Sequence, residues 1–264
     1  MRYTFLFFFG LLLAQSVAAA DLFGTVDAVS GEASLTGENG ASTRITAESK
    51  IYTGQSIRTG ADGEVVIVTA DSGIIALRPN SSFRVEQYQA KGESTDQVVF
   101  SLFKGALRSI TGWIAKRNPS AYRLNAISTT IGVRGTDHET TIIEATSGRD
   151  LSGTFDTVYE GITVMQNQNG SVEVHAGEHA FSPREARQAP GLLAQKPEFM
   201  EHRSLKLESR IPRLRENLQL VVRNKLEAST ADKPDDNTSD NKAVNDNRRE
   251  KIIHRIENRR QRNQ

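Results

Sequence analysis

From Asp21 to about Phe181 the chain is a succession of short apolar or alternating runs parted by turn pairs, and that rhythm confines it to a β architecture. Phe23 to Val29 alternates, Glu64 to Val68 is a short buried run, and Gly73 to Leu77 follows the turn Ala70-Asp71-Ser72. Later runs are Phe83 to Val85, Gln97 to Phe103, Ala106 to Ile110, Tyr122 to Ile127, His138 to Ile143, Thr157 to Tyr159, Ile162 to Met165 and Val172 to His175. Ser30-Gly31, Asp62-Gly63, Ser72-Gly73 and Asn169-Gly170 punctuate them, because Gly and Asn accept the positive φ of tight hairpins. Runs of about five residues recurring roughly every 8 to 12 predict an all-β domain over 21–183, a compact many-stranded sandwich or a solenoid-like stack. No helical period longer than two turns precedes residue 184.

The first twenty residues have another character. Arg2 is followed by an apolar run from Tyr3 to Leu13, and Val17-Ala18-Ala19-Ala20 places small residues where a signal peptidase cuts. The run is about half of the roughly 20 residues that a membrane span requires. A signal peptide over 1–20 is therefore expected, with the mature chain starting at Asp21, periplasmic or secreted, and without an integral membrane segment after cleavage.

Pro183, Pro190 and Pro197 end the strand rhythm. Beyond them Leu207, Ile211, Leu214, Leu218 and Val221 recur at four, three, four and three residues, the seam of an amphipathic helix or short coiled coil. Pro212 marks its start or a kink, since proline costs about 3 kcal/mol inside a helix. Residues 184–228 are therefore expected to form a Pro-marked linker and an amphipathic helix, either laid against the β domain, the preferred reading, or used for dimerisation or partner docking. Residues 229–247 hold almost nothing to bury and are expected to be a disordered linker. Arg248 to Arg262 carries seven basic residues around Ile252, Ile253 and Ile256, a tail that either contacts an anionic envelope surface or the acidic β domain, or is a solvated extension.

Charge divides the same way. Residues 21–183 sum to −6 and residues 184–264 to +6, which argues against a nucleic-acid binder. With no cysteine in 264 residues, disulfides, thiolate metal sites and thiol catalysis are excluded. A nucleophile elbow, a phosphate loop and an H-E-x-x-H pair are absent from the sequence, so no catalytic residue and no cofactor are assigned. Asp137-His138-Glu139 and His175 with Glu178 and His179 contain ligand types that suit zinc. Adjacent strand residues point to opposite faces, however, so Asp137 and His138 cannot share an ion, and no metal site is assigned.

Several blocks resemble one known family, the FecR-type periplasmic domain. They are Ile57 to Val68, Asp71 to Val85, Leu102-Phe103-Lys104-Gly105-Ala106-Leu107-Arg108, Ile127 to Glu139, Tyr159 to Val164 and Val174 to Glu178. The resemblance spans roughly residues 22 to 180. It implies an all-β, non-catalytic periplasmic module, known as the outer half of membrane-bound regulators that pass an iron-uptake signal to a sigma factor. Here a cleavable signal stands where such a regulator has its sigma-binding segment and membrane helix. The resemblance therefore implies a stand-alone exported member rather than a transmembrane regulator.

Within the most recognisable block, Gly132-Val133-Arg134-Gly135-Thr136, two glycines three apart allow a close backbone approach or a positive φ. Arg134 between them is either a clamp for a ligand carboxylate or phosphate, or a structural arginine pinning two strands; the second reading is preferred, with Arg134 kept as the candidate ligand-binding residue. The function expected is a non-enzymatic cell-envelope module whose β scaffold binds a protein or glycan partner. The alternative is a ligand-sensing or carbohydrate-active domain with its site in a β groove.

Overall fold

The backbone N–H and C=O groups of segments rich in β-branched and aromatic residues need hydrogen-bonded neighbours, and among the described residues fifteen strands supply them in one continuous sheet. The computed structural model describes residues 20–144, 152–185, 187–198 and 205–231. In chain order the strands are β1 (Leu22–Ser30), β2 (Ala33–Thr36), β3 (Ser42–Arg44), β4 (Lys50–Tyr52), β5 (Ser56–Thr59), β6 (Glu64–Thr69), β7 (Ile74–Leu77) and β8 (Ser82–Gln89). There follow β9 (Gln97–Ile110), β10 (Tyr122–Ala126), β11 (Thr129–Ile143), β12 (Gly153–Asn167), β13 (Gly170–His175), β14 (His179–Pro183) and β15 (Gly191–Leu193). The all-β expectation holds.

Three strands depart from the short-run reading. β9 has 14 residues, and β11 and β12 have 15 each. The runs on either side of Gly105 and of Gly161 fuse rather than turn back, and β11 takes in the whole Gly132 to Thr136 block. Each long strand bends at a glycine of positive φ: Gly105 at 81°, Gly135 at 59° and Gly161 at 78°. These bends fold the sheet over on itself.

The first layer runs β4-β1-β6-β7, then the C-terminal half of β9, the C-terminal half of β11 and the N-terminal half of β12, and ends in β14-β15. The second runs β3-β2-β5-β8, then the opposite halves of β9, β11 and β12 with β10 between β9 and β11, and ends in β13. A Cβ built on Gly161 would lie 2.3 Å from the Gly135 carbonyl oxygen, so the two bends nest with no room for a side chain at Gly161. β9 and β10 pair in parallel, which requires a crossover; the helix Trp113–Arg117 and the 3-10 turn Pro119–Ala121 supply it.

Between the layers lies an aromatic core. The Phe23 ring meets Phe83, Tyr88 and Phe100 at centroid distances of 6.2, 5.1 and 5.4 Å, and Phe100 meets Tyr122 at 5.4 Å. All five are buried, each contributing on the order of 1.5 to 3 kcal/mol through its apolar surface.

The other face of the first layer is covered by the chain that follows the sheet. Val66, Ile74 and Ala76, with Ile110 beside them, pack against Leu207, Ile211, Leu214 and Leu218. The helix spans Arg210–Ala231, with Pro212 in its first turn, where a missing N–H leaves no hydrogen bond unmade. Its seam closes on Val222, 5% exposed, whereas Val221 is 51% exposed, because the last step is four residues and not three. The seam faces the sheet rather than a second helix. Sheet and helix up to Val222 form one compact unit, which takes in β15 and the first part of the helix. In the second unit, from Arg223, the helix continues to Ala231. The expected signal peptide over 1–20, apart from Ala20, and the tail 232–264 lie outside the described residues.

Candidate functional site

β11 carries the densest chemistry of the chain, and strand alternation sorts it onto two faces. Asp137 and Glu139 point out of the sandwich, while His138 and Thr140 point in.

The outward pair meets arginines from neighbouring strands. Arg108 of β9 donates to both oxygens of Asp137, from Nε at 2.8 Å and from Nη2 at 2.7 Å, in a bidentate fork. Arg78, just past β7, donates from Nη2 to Glu139 at 2.7 Å and from Nη1 to Glu208 at 2.6 Å. Glu208 also accepts from Arg108 Nη1, so one carboxylate bridges two guanidinium groups. Arg215 on the helix reaches Asp137 at 3.2 Å and pairs with Glu160. Glu64 of β6 accepts the backbone N–H groups of Lys206 and Leu207 at 2.8 and 3.0 Å. The segment leading into the helix is thus pinned to the sheet as a strap.

Burial alone would disfavour charge on Arg78, yet Glu139 and Glu208 outweigh it and hold the guanidinium above its ordinary value. Arg108 is raised against the same opposing burial by Asp137 and Glu208. Partial burial works against ionised Glu208, and Arg78 and Arg108 overcome it and hold this carboxyl below the usual range. The Arg108 guanidinium lies 4.6 Å from the centroid of the Tyr159 ring, and burial pushes that phenol up to about 12. The two arginines and Glu208 are therefore held in their charged, paired forms, which suits mechanical anchoring and not proton transfer.

The inward set is a buried polar cluster. His138 Nδ1 lies 2.9 Å from Asp156 Oδ1, and Thr140 and Thr163 donate to the same carboxylate at 2.8 and 2.7 Å. The Tyr122 ring packs edge-on at 6.4 Å. His138 Nε2 is buried without a hydrogen-bond partner, so the His–Asp pair activates no hydroxyl among the described residues. The other metal-type residues stay apart: His179 bonds Thr157 at 3.1 Å, and the His175 backbone N–H donates to Glu178. Among the described residues no three such side chains converge.

The Gly132 to Thr136 block is a corner. Gly135 makes the bend, and Thr136 is buried just inside it, its N–H donating to Thr111 Oγ1 at 2.9 Å. Arg134 does not pin two strands. Its side chain is exposed and meets no ion-pair partner among the described residues, because Val133 takes the inward position and the bend turns Arg134 out. Gly132 has no positive φ, and a Cβ placed on it would meet nothing within 4 Å. A cavity of about 350 Å³ beside Arg78 is bordered by Pro79, Gly105, Ala106, Ile142 and Leu205; Arg134 is not part of it.

The structural arginines are Arg78 and Arg108, which sequence reasoning passed over. Their signal was present: each directly follows a buried leucine at a strand of otherwise apolar character, Leu77 and Leu107, and a charge so placed must find a partner.

No curated protein matches the chain. Two crystal structures of a candidate anti-sigma factor from Parabacteroides distasonis are similar over 52% of this chain and 58% of theirs, at 9% and 10% identity and a TM-score of 0.40. The chain thus spans less than two thirds of their length. A structure described as a cell surface anchoring domain aligns with 24% of this chain and 82% of its own, at 21% identity and a TM-score of 0.23. The family model described as FecR protein matches residues 55–153, from the residue before β5 to the first residue of β12, and includes the Gly135 corner and both structural arginines. Over that stretch the chain matches the FecR family.

Proposed function

We propose that this protein is a non-enzymatic module of the cell envelope, exported by its N-terminal segment, in which a FecR-type β scaffold holds a protein or glycan partner on its surface. The single observation that carries this reading is the FecR family match laid on a framework whose buried ionisable groups serve one another. A catalytic site needs a group left poised near neutrality with room for a substrate. Here the carboxylates of β11 are committed to arginines, and the His138–Asp156 pair is sealed in the core. No described helix is long and apolar enough to cross a membrane, and this reading does not call for one. The basic residues from Arg248 to Arg262 add an accessory contact to an anionic envelope surface.

The test is affinity capture from the envelope fraction with the tagged full-length protein, joined to fractionation and N-terminal sequencing. Export with cleavage before Asp21 and recovery of a specific envelope component are expected. An uncleaved chain in the cytoplasm would overturn the compartment, and turnover of a glycan by the pure protein would replace the scaffold with a carbohydrate-active domain.

A further inference from the structure

The outer face of the second layer has nothing packed on it among the described residues, and its side chains are not those of a bare solvated sheet. Strand register aligns Arg84, Ser101, Asn125, Thr130, Gln166 and Ser171 in a single row across β8, β9, β10, β11, β12 and β13. At roughly 4.8 Å per strand the row is about 24 Å long. It is a line of hydroxyl, amide and guanidinium groups in which Ser101 is buried and the others are partly or fully exposed, with Thr130 Oγ1 already 3.4 Å from Asn125 Oδ1 and Arg84 held by Glu86 at 3.2 Å.

Two residues along the strands from this row, Gly132 stands in register with Val164, and Val164 with Glu173. Glycine inside a strand forgoes packing and conformational restriction, and is usually kept for a bend, a tight approach or a ligand. The first two reasons fail at Gly132: its φ is not positive and the space above it is open. Exposed arginines flank it, Arg123 on β10 and Arg134 on β11, and neither has a hydrogen-bond or ion-pair partner among the described residues. Glu173, beside His175 at 3.8 Å, lies at the β13 edge. The centre of the face is therefore cationic, with Val164, 37% exposed, beside Gly132 and the polar row two residues away. The polar row itself holds no aromatic or large apolar anchor of the kind that dominates protein interfaces; Phe103 and Ile127, 54% and 40% exposed, border it two residues beyond Ser101 and Asn125.

We infer that this face is a binding surface for an acidic polysaccharide, whose hydroxyls meet the polar row while its carboxylates meet Arg123 and Arg134 across the trough at Gly132. The inference rests on the scaffold reading above and names its partner class. Planar guanidinium groups pair with carboxylates bidentately, and a chain lying flat over the trough needs the absent Cβ.

The experiment is binding of polygalacturonate, dextran and polyaspartate to the full chain by calorimetry at low and high salt. It compares wild type with Gly132→Leu and with the Arg123→Ala/Arg134→Ala double variant. Wild type should bind polygalacturonate, less tightly as salt rises, and should not bind neutral dextran. Each variant should weaken binding by at least about tenfold while keeping the wild-type melting temperature. Equal binding of polyaspartate would make the partner an acidic protein and overturn the glycan. No binding by wild type, or variants that bind as wild type does, would overturn the site itself; the last result would place the contact elsewhere, as on the basic tail. Purified-chain binding does not depend on compartment, so its failure is distinct from failure of export or of envelope capture.

Discussion

The two outer faces of the sandwich follow the same alternation rule and end in opposite states. On the first layer Arg78, Arg108, Asp137 and Glu139 point outward, and the strap from Leu205 into the helix covers them, adds Glu208 and turns them into a buried network. On the second layer Arg123 and Arg134 point outward with no covering element among the described residues, and their guanidinium groups stay exposed. An outward arginine is structural or available according to what lies above it. Local sequence around Arg108 and Arg134 hardly differs in kind, since both sit in long strands close to a glycine corner.

The contrast breaks most sharply at Arg78. Arg78→Ala leaves Glu139 buried without this cation, and breaking a buried pair in this way costs about 3 to 5 kcal/mol. Chemical denaturation of the purified protein should show that loss; a midpoint within error of wild type would mean that the network adds nothing to stability.

The strap itself is tested at Ile211, which is 1% exposed against Val66, Ile74 and Ala76. Ile211→Ala should destabilise by roughly 2 to 5 kcal/mol. Proteolysis should then cut first between the sheet and the helix. If the β domain and strap unfold together with no early cleavage, the strap is an integral part of the core rather than a layer upon it.

Glu208 gives a smaller, pH-dependent effect. Its folded-state value lies below the ordinary 4.5, so its contribution is complete above that value and is lost as pH falls through the depressed one. Glu208→Gln should remove that part of the acid sensitivity and destabilise less than Arg78→Ala, since Glu208 is half-buried. Parallel pH melts of the two proteins check it: an unchanged difference between about pH 7 and about pH 3 would detach Glu208 from the Arg78–Arg108 network.

The smallest change belongs to Arg134. Arg134→Ala removes an exposed side chain without an ion-pair partner among the described residues, so stability should move by no more than about 0.5 kcal/mol. A loss of several kcal/mol in a thermal melt would restore the strand-pinning role that the structure assigns to Arg78 and Arg108.

Much of this was legible in the chain. Alternation and turn pairs locate the strands, the helix seam is visible from Leu207 to Leu218, and Pro212 marks the helix start. What could not be read is where a glycine folds a strand and where it ends one. The runs on either side of Gly105 and of Gly161 read as separate strands, yet in both places one strand continues around a corner, because its two halves find partners in different layers. The candidate site was less legible still. The Gly132 to Thr136 block drew attention to Arg134, while the arginines that hold the structure needed a carboxylate 100 residues away or more, at Glu208.

By itself the sequence determined the strand-forming segments, the all-β class, the helix face and the separation of Asp137 from His138, because each follows from backbone periodicity and the local cost of burying or exposing a side chain. The tertiary structure alone decided that three strands bend to serve two layers, that Glu208 bridges Arg78 to Arg108, and that one outer face is covered while the other lies open. Those outcomes depend on pairings between distant segments, and the same local pattern is compatible with any of them until the partner across the layer is in place.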